Sequence, residues 1–145
     1  MKLNKFLKQD KYCSVKLKRL KTNHLQLKAK INGICGVFIL DTGASNSCID
    51  LKLSEFFKIK STISTEKASS ATDEISNTMI SKKNTIEIGK WSKDKFQIVL
   101  FDMSHINKTL NEQGAKNVSG IIGSDLLKKG NGVIDYSGKK LFLKN

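Results

Sequence analysis

A chain of 145 residues with 39% hydrophobic residues can build one domain with a buried core, and no apolar run reaches the roughly 20 residues of a membrane span. Cys13, Cys35 and Cys48 form no CxxC and no Cys/His cluster of zinc spacing, and only His24 and His105 are available for a histidine-based triad or metal site. The net charge of +13 is uneven: residues 1–30 hold ten Lys/Arg and one acid, Asp10, for +9, and the remainder carries +4. The expectations are reduced thiols, a cytoplasmic protein without a secretory signal, no metal and no cofactor. The absence of proline and the richness in Lys, Asn and Ile point to an AT-biased bacterial proteome.

Residues 1–22 read as a basic N-terminal arm with room for flexibility, part of which can add an edge strand or an amphipathic turn, with 23–145 as the domain proper. Leu3, Phe6 and Leu7 fit one short helical face. Such an arm can touch nucleic acid, anionic lipid or an acidic partner, or be a solvated lead-in. The lack of aromatic interleaving and of any nucleic-acid-binding motif favours the lead-in. Residues 23–34 alternate, with Leu25, Leu27, Ala29 and Ile31 on one face and Gln26, Lys28 and Lys30 on the other. That is a half-exposed strand, and Asn32-Gly33 after it is a strong hairpin signal.

The returning strand delivers Val37-Phe38-Ile39-Leu40 to Asp41-Thr42-Gly43-Ala44-Ser45. Apolar residues ending abruptly in turn residues suit a buried strand, and place the Asp41 carboxylate where the chain leaves the core. Burial there would disfavour its ionised form unless donors compensate. Cys48 lacks a nearby histidine and reads as structural. Leu51–Ile59 is expected to form one or two helical turns, with Ser54 as a candidate N-cap.

Residues 61–83 are polar, and no glycine lies between Gly43 and Gly89. Thr85–Ile88 and Phe96–Phe101 are expected strands joined by residues 89–95. Trp91 reads as a cover over the edge of the core, and His105 as a loop residue. Val118–Gly123 is an apolar strand. Ser124 and Asp125 read as capping residues of a short helix that Gly130 ends, and Asp125 is taken as a cap and not as a second acid. A final hairpin, Val133–Tyr136 and Lys140–Leu143, turns at Ser137-Gly138.

Asp41-Thr42-Gly43-Ala44, preceded by Phe38-Ile39-Leu40 and followed by Ser45, resembles the active-site motif of the retropepsin-like aspartic proteases. In these single-domain relatives of pepsin, each of two identical subunits supplies one catalytic Asp. Val118-Ser119-Gly120-Ile121-Ile122-Gly123-Ser124-Asp125-Leu126-Leu127 resembles the family's downstream apolar-apolar-Gly element and its helix. The resemblance covers roughly residues 25–144. It implies an all-β fold, a closed retropepsin-like acid-protease barrel with one short helix near the C-terminus.

It further implies an aspartic endopeptidase that uses a water activated by an Asp41 pair formed across a homodimer. Its partners would then be a second copy of the chain and a peptide or protein substrate. In this reading Thr42 locks the two active-site loops together and Gly43 lets the backbone approach substrate. Ala44 and Ser45 support the loop, with Ser45 or a neighbour orienting the outer carboxylate oxygen. Ile122 and Gly123 pack beneath it, and Ser69, Ser70, Ala71 and Thr72 form the tip of a substrate flap. Family flaps are usually rich in glycine, and this stretch has none. The competing reading is a non-catalytic dimerisation or peptide-binding module on the same fold.

Overall fold

The computed structural model describes residues 1–60, 62, 63 and 78–145. It begins with helix α1 (Leu3–Gln9) and strands β1 (Cys13–Lys16) and β2 (Lys18–Arg19). The hairpin β3 (Leu25–Ile31) and β4 (Ile34–Leu40) follows, and then β5 (Cys48–Asp50), a 3-10 turn (Leu51–Leu53) and β6 (Thr62–Ile63). The long strands β7 (Met79–Ile88) and β8 (Trp91–Phe101) precede α2 (Ser104–Glu112). The chain closes with β9 (Gly120–Ile122), α3 (Ser124–Lys129), β10 (Val133–Asp135) and β11 (Lys140–Leu143).

Eight strands form one sheet in the order β2-β3-β4-β9-β5-β8-β7-β6. A further antiparallel pairing of β3 with β7, Lys30 to Glu87 and Ile31 to Ile86, closes six of them into a barrel. The expected all-β closed architecture is therefore present. The short C-terminal helix is there as α3, and α1 and α2 are additional. Among the described residues no helix is long and apolar enough to cross a membrane.

The hairpin forms as its pattern dictates. Leu25, Leu27, Ala29 and Ile31 are buried, while Lys28 and Lys30 face outward. Asn32 and Gly33 take φ of 51° and 83°, the left-handed pair that a two-residue turn between twisted strands requires. Strand β4 is covered on both faces. Phe38 and Leu40 enter the barrel core with Phe57, Trp91 and Leu126, and Ile39 packs outside with Met103, Leu110 and Val118 beneath α2. Two-sided burial explains why Val37–Leu40 reads as a continuous apolar run.

Part of residues 1–22 adds edge strands to the fold. β1 pairs with β11 from Cys13–Leu143 to Lys16–Lys140, β2 pairs with β3, and Leu7 and Leu17 are buried. The lysines stay exposed, as do Leu3 and Phe6, so the segment joins the fold through Leu7, Leu17 and its strand pairings. Several expectations are corrected. Strands β7 and β8 run further than expected and meet at a tight turn whose Gly89 has φ +58°. The charged run Lys93-Asp94-Lys95 concealed this, because that part of β8 is exposed. Trp91 is 1% exposed and belongs to the barrel core itself rather than to a cover over its edge.

His105 lies on helix α2 and not in a loop. The helix was hidden by a polar residue in its buried face, Asn107, whose side chain donates to the Val118 carbonyl and accepts from the Val118 N–H. Asp102 caps its start by accepting from the Ser104 hydroxyl and N–H. Those bonds, first the hydroxyl's, hold the exposed Asp102 carboxyl below its ordinary range, with nearby Lys52 adding to the effect. After β5 it is Asp50 that accepts from Lys52 N–H, whereas Ser54 ends the turn. The expected flap tip, Ser69–Thr72, lies outside the described residues.

Candidate active site

The site is built where β4 leaves the sheet. β9 runs parallel to β4 (Phe38–Gly120, Ile39–Ile121, Leu40–Ile122) and antiparallel to β5 (Cys48–Ile121, Ile49–Gly120). The connection from β4 to β5, residues 41–47, therefore spans the end of the strand inserted between them. Asp41 N–H donates to the Ile122 carbonyl at 2.9 Å, which extends the ladder by one residue into the turn. Asp41 Oδ1 accepts the Gly43 N–H at 2.9 Å, and the Asp41 carbonyl accepts the Ala44 N–H at 3.2 Å. This is an Asx-type turn, in which a short carboxylate organises the backbone that follows it.

Gly123 sits directly under the turn. A Cβ there would stand 2.5 Å from the Ala44 carbonyl oxygen, closer than such atoms approach, and Ser124 N–H donates to that same oxygen at 2.7 Å. Ile122, 1% exposed, anchors the strand in the core. The turn is thus held by backbone bonds on one side and a close glycine contact on the other.

A polar clamp completes it. The buried Ser47 N–H donates to Asp125 Oδ2 at 2.9 Å and its hydroxyl donates to Oδ1 at 2.8 Å, while Gly123 N–H donates to the Ser47 oxygen at 3.0 Å. Both carboxylate oxygens of Asp125 therefore serve the loop. Helix α3 starts at Gly123 without a side-chain cap, so the expected capping role of Asp125 is corrected to a clamp across 78 residues. Ser47 escaped the sequence reading. A lone serine before a strand carries no signal until the fold brings Asp125 beside it.

Asp41, Thr42, Gly43 and Ser45 are exposed and Ala44 is half-buried. The burial expected for Asp41 is not present in the single chain. The turn extends past the end of the strand, and of residues 41–45 Ala44 alone is half-buried. Among the described residues no group of three or more His, Cys, Asp or Glu side chains is placed to hold a metal ion.

Cys48, just inside the loop, is buried. Burial pushes its thiol up from 9.0 to about 12, and the negative charges of Asp125 and Asp41 push the same way. It is an inert core thiol, whereas Cys35 is exposed. In the native protein a thiol reagent should modify Cys35 first and leave Cys48 untouched until the protein unfolds, with mass spectrometry assigning each site. The folded value lies above the unfolded one, so the stability that the thiol contributes is complete below pH 9.0 and is lost as pH rises toward 12. The urea midpoint of wild type should therefore fall more steeply over that interval than that of Cys48→Ala.

A family model for aspartyl proteases matches residues 27–126, a span that takes in the β3–β4 hairpin, the Asp41 turn, β9 and Asp125. The chain belongs to the aspartyl protease family. Solved structures share its fold. A retropepsin-like aspartic protease from Rickettsia conorii is 15% identical over 91% of this chain and 90% of that one, with a TM-score of 0.61. The retroviral protease-like domain of Ddi1 from Leishmania major is 16% identical over 84% and 89%, at 0.55. EIAV protease, complexed with the inhibitor HBY-793, is 18% identical over 77% and 88%, at 0.53. No match was found among curated protein sequences. This aspartyl protease chain thus carries a retropepsin-like barrel with one Asp-Thr-Gly turn.

Proposed function

We propose that the protein is an aspartic endopeptidase whose active form is a homodimer, with Asp41 of each copy meeting across a two-fold axis. The observation that supports this reading is the exposed Asp41 on a turn whose backbone is clamped by Ile122, Gly123 and the Ser47–Asp125 pair. A rigid loop that presents one exposed carboxylate is half of the machinery that peptide hydrolysis by carboxylates needs.

In the complete site one ionised carboxylate takes a proton from the attacking water. The other, protonated, polarises the scissile carbonyl. Two close carboxylates do not ionise together cheaply, so the pair shares a proton and titrates as a unit. Thr42 bonds across the axis, Gly43 leaves room for substrate backbone, and Ser45 supports the turn. The cytoplasm suits a chain whose three cysteines are all free thiols.

The reading is tested with a mixed peptide library at several enzyme concentrations and pH values. Cleavage should rise faster than linearly with protein concentration, because only the dimer holds two acids. It should also decline above neutral pH as the shared proton is lost. A rate strictly proportional to concentration down to the most dilute sample, or still climbing past neutral pH, would contradict the dyad.

A further inference from the structure

The large sheet ends at β2, and a groove runs along that edge. One stretch, of about 740 Å³, is lined by Lys16, Lys18, Arg19, Lys28 and Lys139 over an apolar base that includes Leu17 and Leu27. A second stretch, of about 440 Å³, shares Lys18 and Arg19 with the first and adds Lys21 and Lys116. All seven cations are exposed, and among the described residues no carboxylate lines either stretch; the smaller hollow that shares Lys28 and Gly89 with the first holds one, Glu87, beside Lys30.

This is not simply the chain's overall charge spread thin. The cleft beside α2, of about 820 Å³, sets Lys52 and Lys108 against Asp50 and Glu112. The ion pairs Lys52–Asp102 and Lys144–Asp10 draw on none of the seven. Seven cations beside a single neighbouring carboxylate repel one another and concentrate a positive potential, which a polyanion relieves by displacing condensed ions.

We propose that this groove binds the phosphodiester backbone of nucleic acid. From the end of β1 at Lys16 to the end of β2 at Arg19 the chain runs for roughly 10 Å, enough to set three cations against neighbouring phosphates of one strand, with Lys21 in the turn beyond. Six of the seven cations are lysines, flexible point charges suited to phosphates at variable positions. No aromatic side chain lines the groove for base stacking, so contact is with the backbone and independent of sequence. Strand addition by an acidic peptide is disfavoured because β2 offers an edge of only two residues. The β1–β2 segment, which as an isolated sequence reads as a solvated lead-in, becomes one wall of this groove once β2 is paired to β3.

The test is fluorescence anisotropy of a labelled random-sequence duplex of about 20 base pairs, titrated with the full chain from roughly 50 to 200 mM salt. Wild type should bind with a slope of log affinity against log salt of about −4 to −6. The triple variant Lys16→Gln, Lys18→Gln, Arg19→Gln should lose at least about tenfold in affinity and reduce that slope by about 3. Lys82→Gln, Lys83→Gln, Lys108→Gln, which removes three exposed lysines outside the groove, should bind within about twofold of wild type. Circular dichroism and urea midpoints verify that both variants are folded. Absence of duplex binding at the lowest salt overturns the proposal, as does an equal loss in both variants. Displacement of the duplex by polyglutamate at lower concentration than by unlabelled duplex also overturns it, and would assign the groove to an acidic protein.

Discussion

Replacing Asp41 by asparagine should abolish peptide cleavage, by at least about 10³-fold, and leave fold and stability nearly unchanged. Asparagine has the same shape, and its side-chain oxygen can still accept the Gly43 N–H that organises the turn. The side chain is exposed, so losing its charge should change stability by no more than about 0.5 kcal/mol. What it cannot do is take a proton from water. A mixing experiment sharpens the expectation. If active sites form across two copies that exchange freely, an equal mixture of wild type and Asp41→Asn should retain about a quarter of the activity of the same total wild-type protein, because only pairs with two acids work. Cleavage by a clean Asp41→Asn preparation at the wild-type rate would remove the proposed chemistry.

Gly120→Ala should cost about 3 kcal/mol or more, as much as truncating a large core side chain. A Cβ at that position would lie 2.1 Å from the Cys48 carbonyl oxygen, 3.0 Å from Ile49 Cα and 3.0 Å from Phe38 Cε2. Two of those atoms are backbone, and neither can turn aside. Strand β9 cannot retreat either, because it is hydrogen-bonded to β4 on one side and β5 on the other. The displacement would pass straight to Ile122 and Gly123, which carry the Asp41 turn, so any folded fraction should also cleave poorly. Gly33→Ala is the contrast: nothing stands within 4 Å of its Cβ position, and only the φ of +83° is penalised, at roughly 1–2 kcal/mol. Chemical denaturation of the two variants side by side measures the difference. Equal losses would mean that the β4-β9-β5 packing is not the tight element described.

Much of the site's frame was legible in local pattern. Period-two burial from Leu25 to Ile31 and the Asn32-Gly33 turn specify the hairpin. The apolar run into Asp41-Thr42-Gly43 specifies where a carboxylate meets the end of a strand. Gly130 ends α3 as expected, and the last hairpin turns at Ser137-Gly138, where Asp135 accepts from both residues. These features depend on neighbours within a few positions, which spacing and turn chemistry report directly.

Other features exist only because distant segments meet. Nothing around Cys13 announces pairing with Leu143, and so an edge strand is only one of the readings that the basic first residues allow. Helix α2 is stabilised by a buried asparagine whose partner lies 11 residues on, and polar residues blur helical periodicity. Ser47 and Asp125 look like an incidental serine and a helix cap until the barrel closes and makes them a clamp. The hairpin, the acidic turn and the strand beneath it follow from local periodicity and backbone preference, and so can be read from the order of residues. The tertiary structure alone decided that Asp41 is exposed, which partners hold its loop, and that scattered lysines line one groove, because burial and charge clustering depend on which strands become neighbours in space.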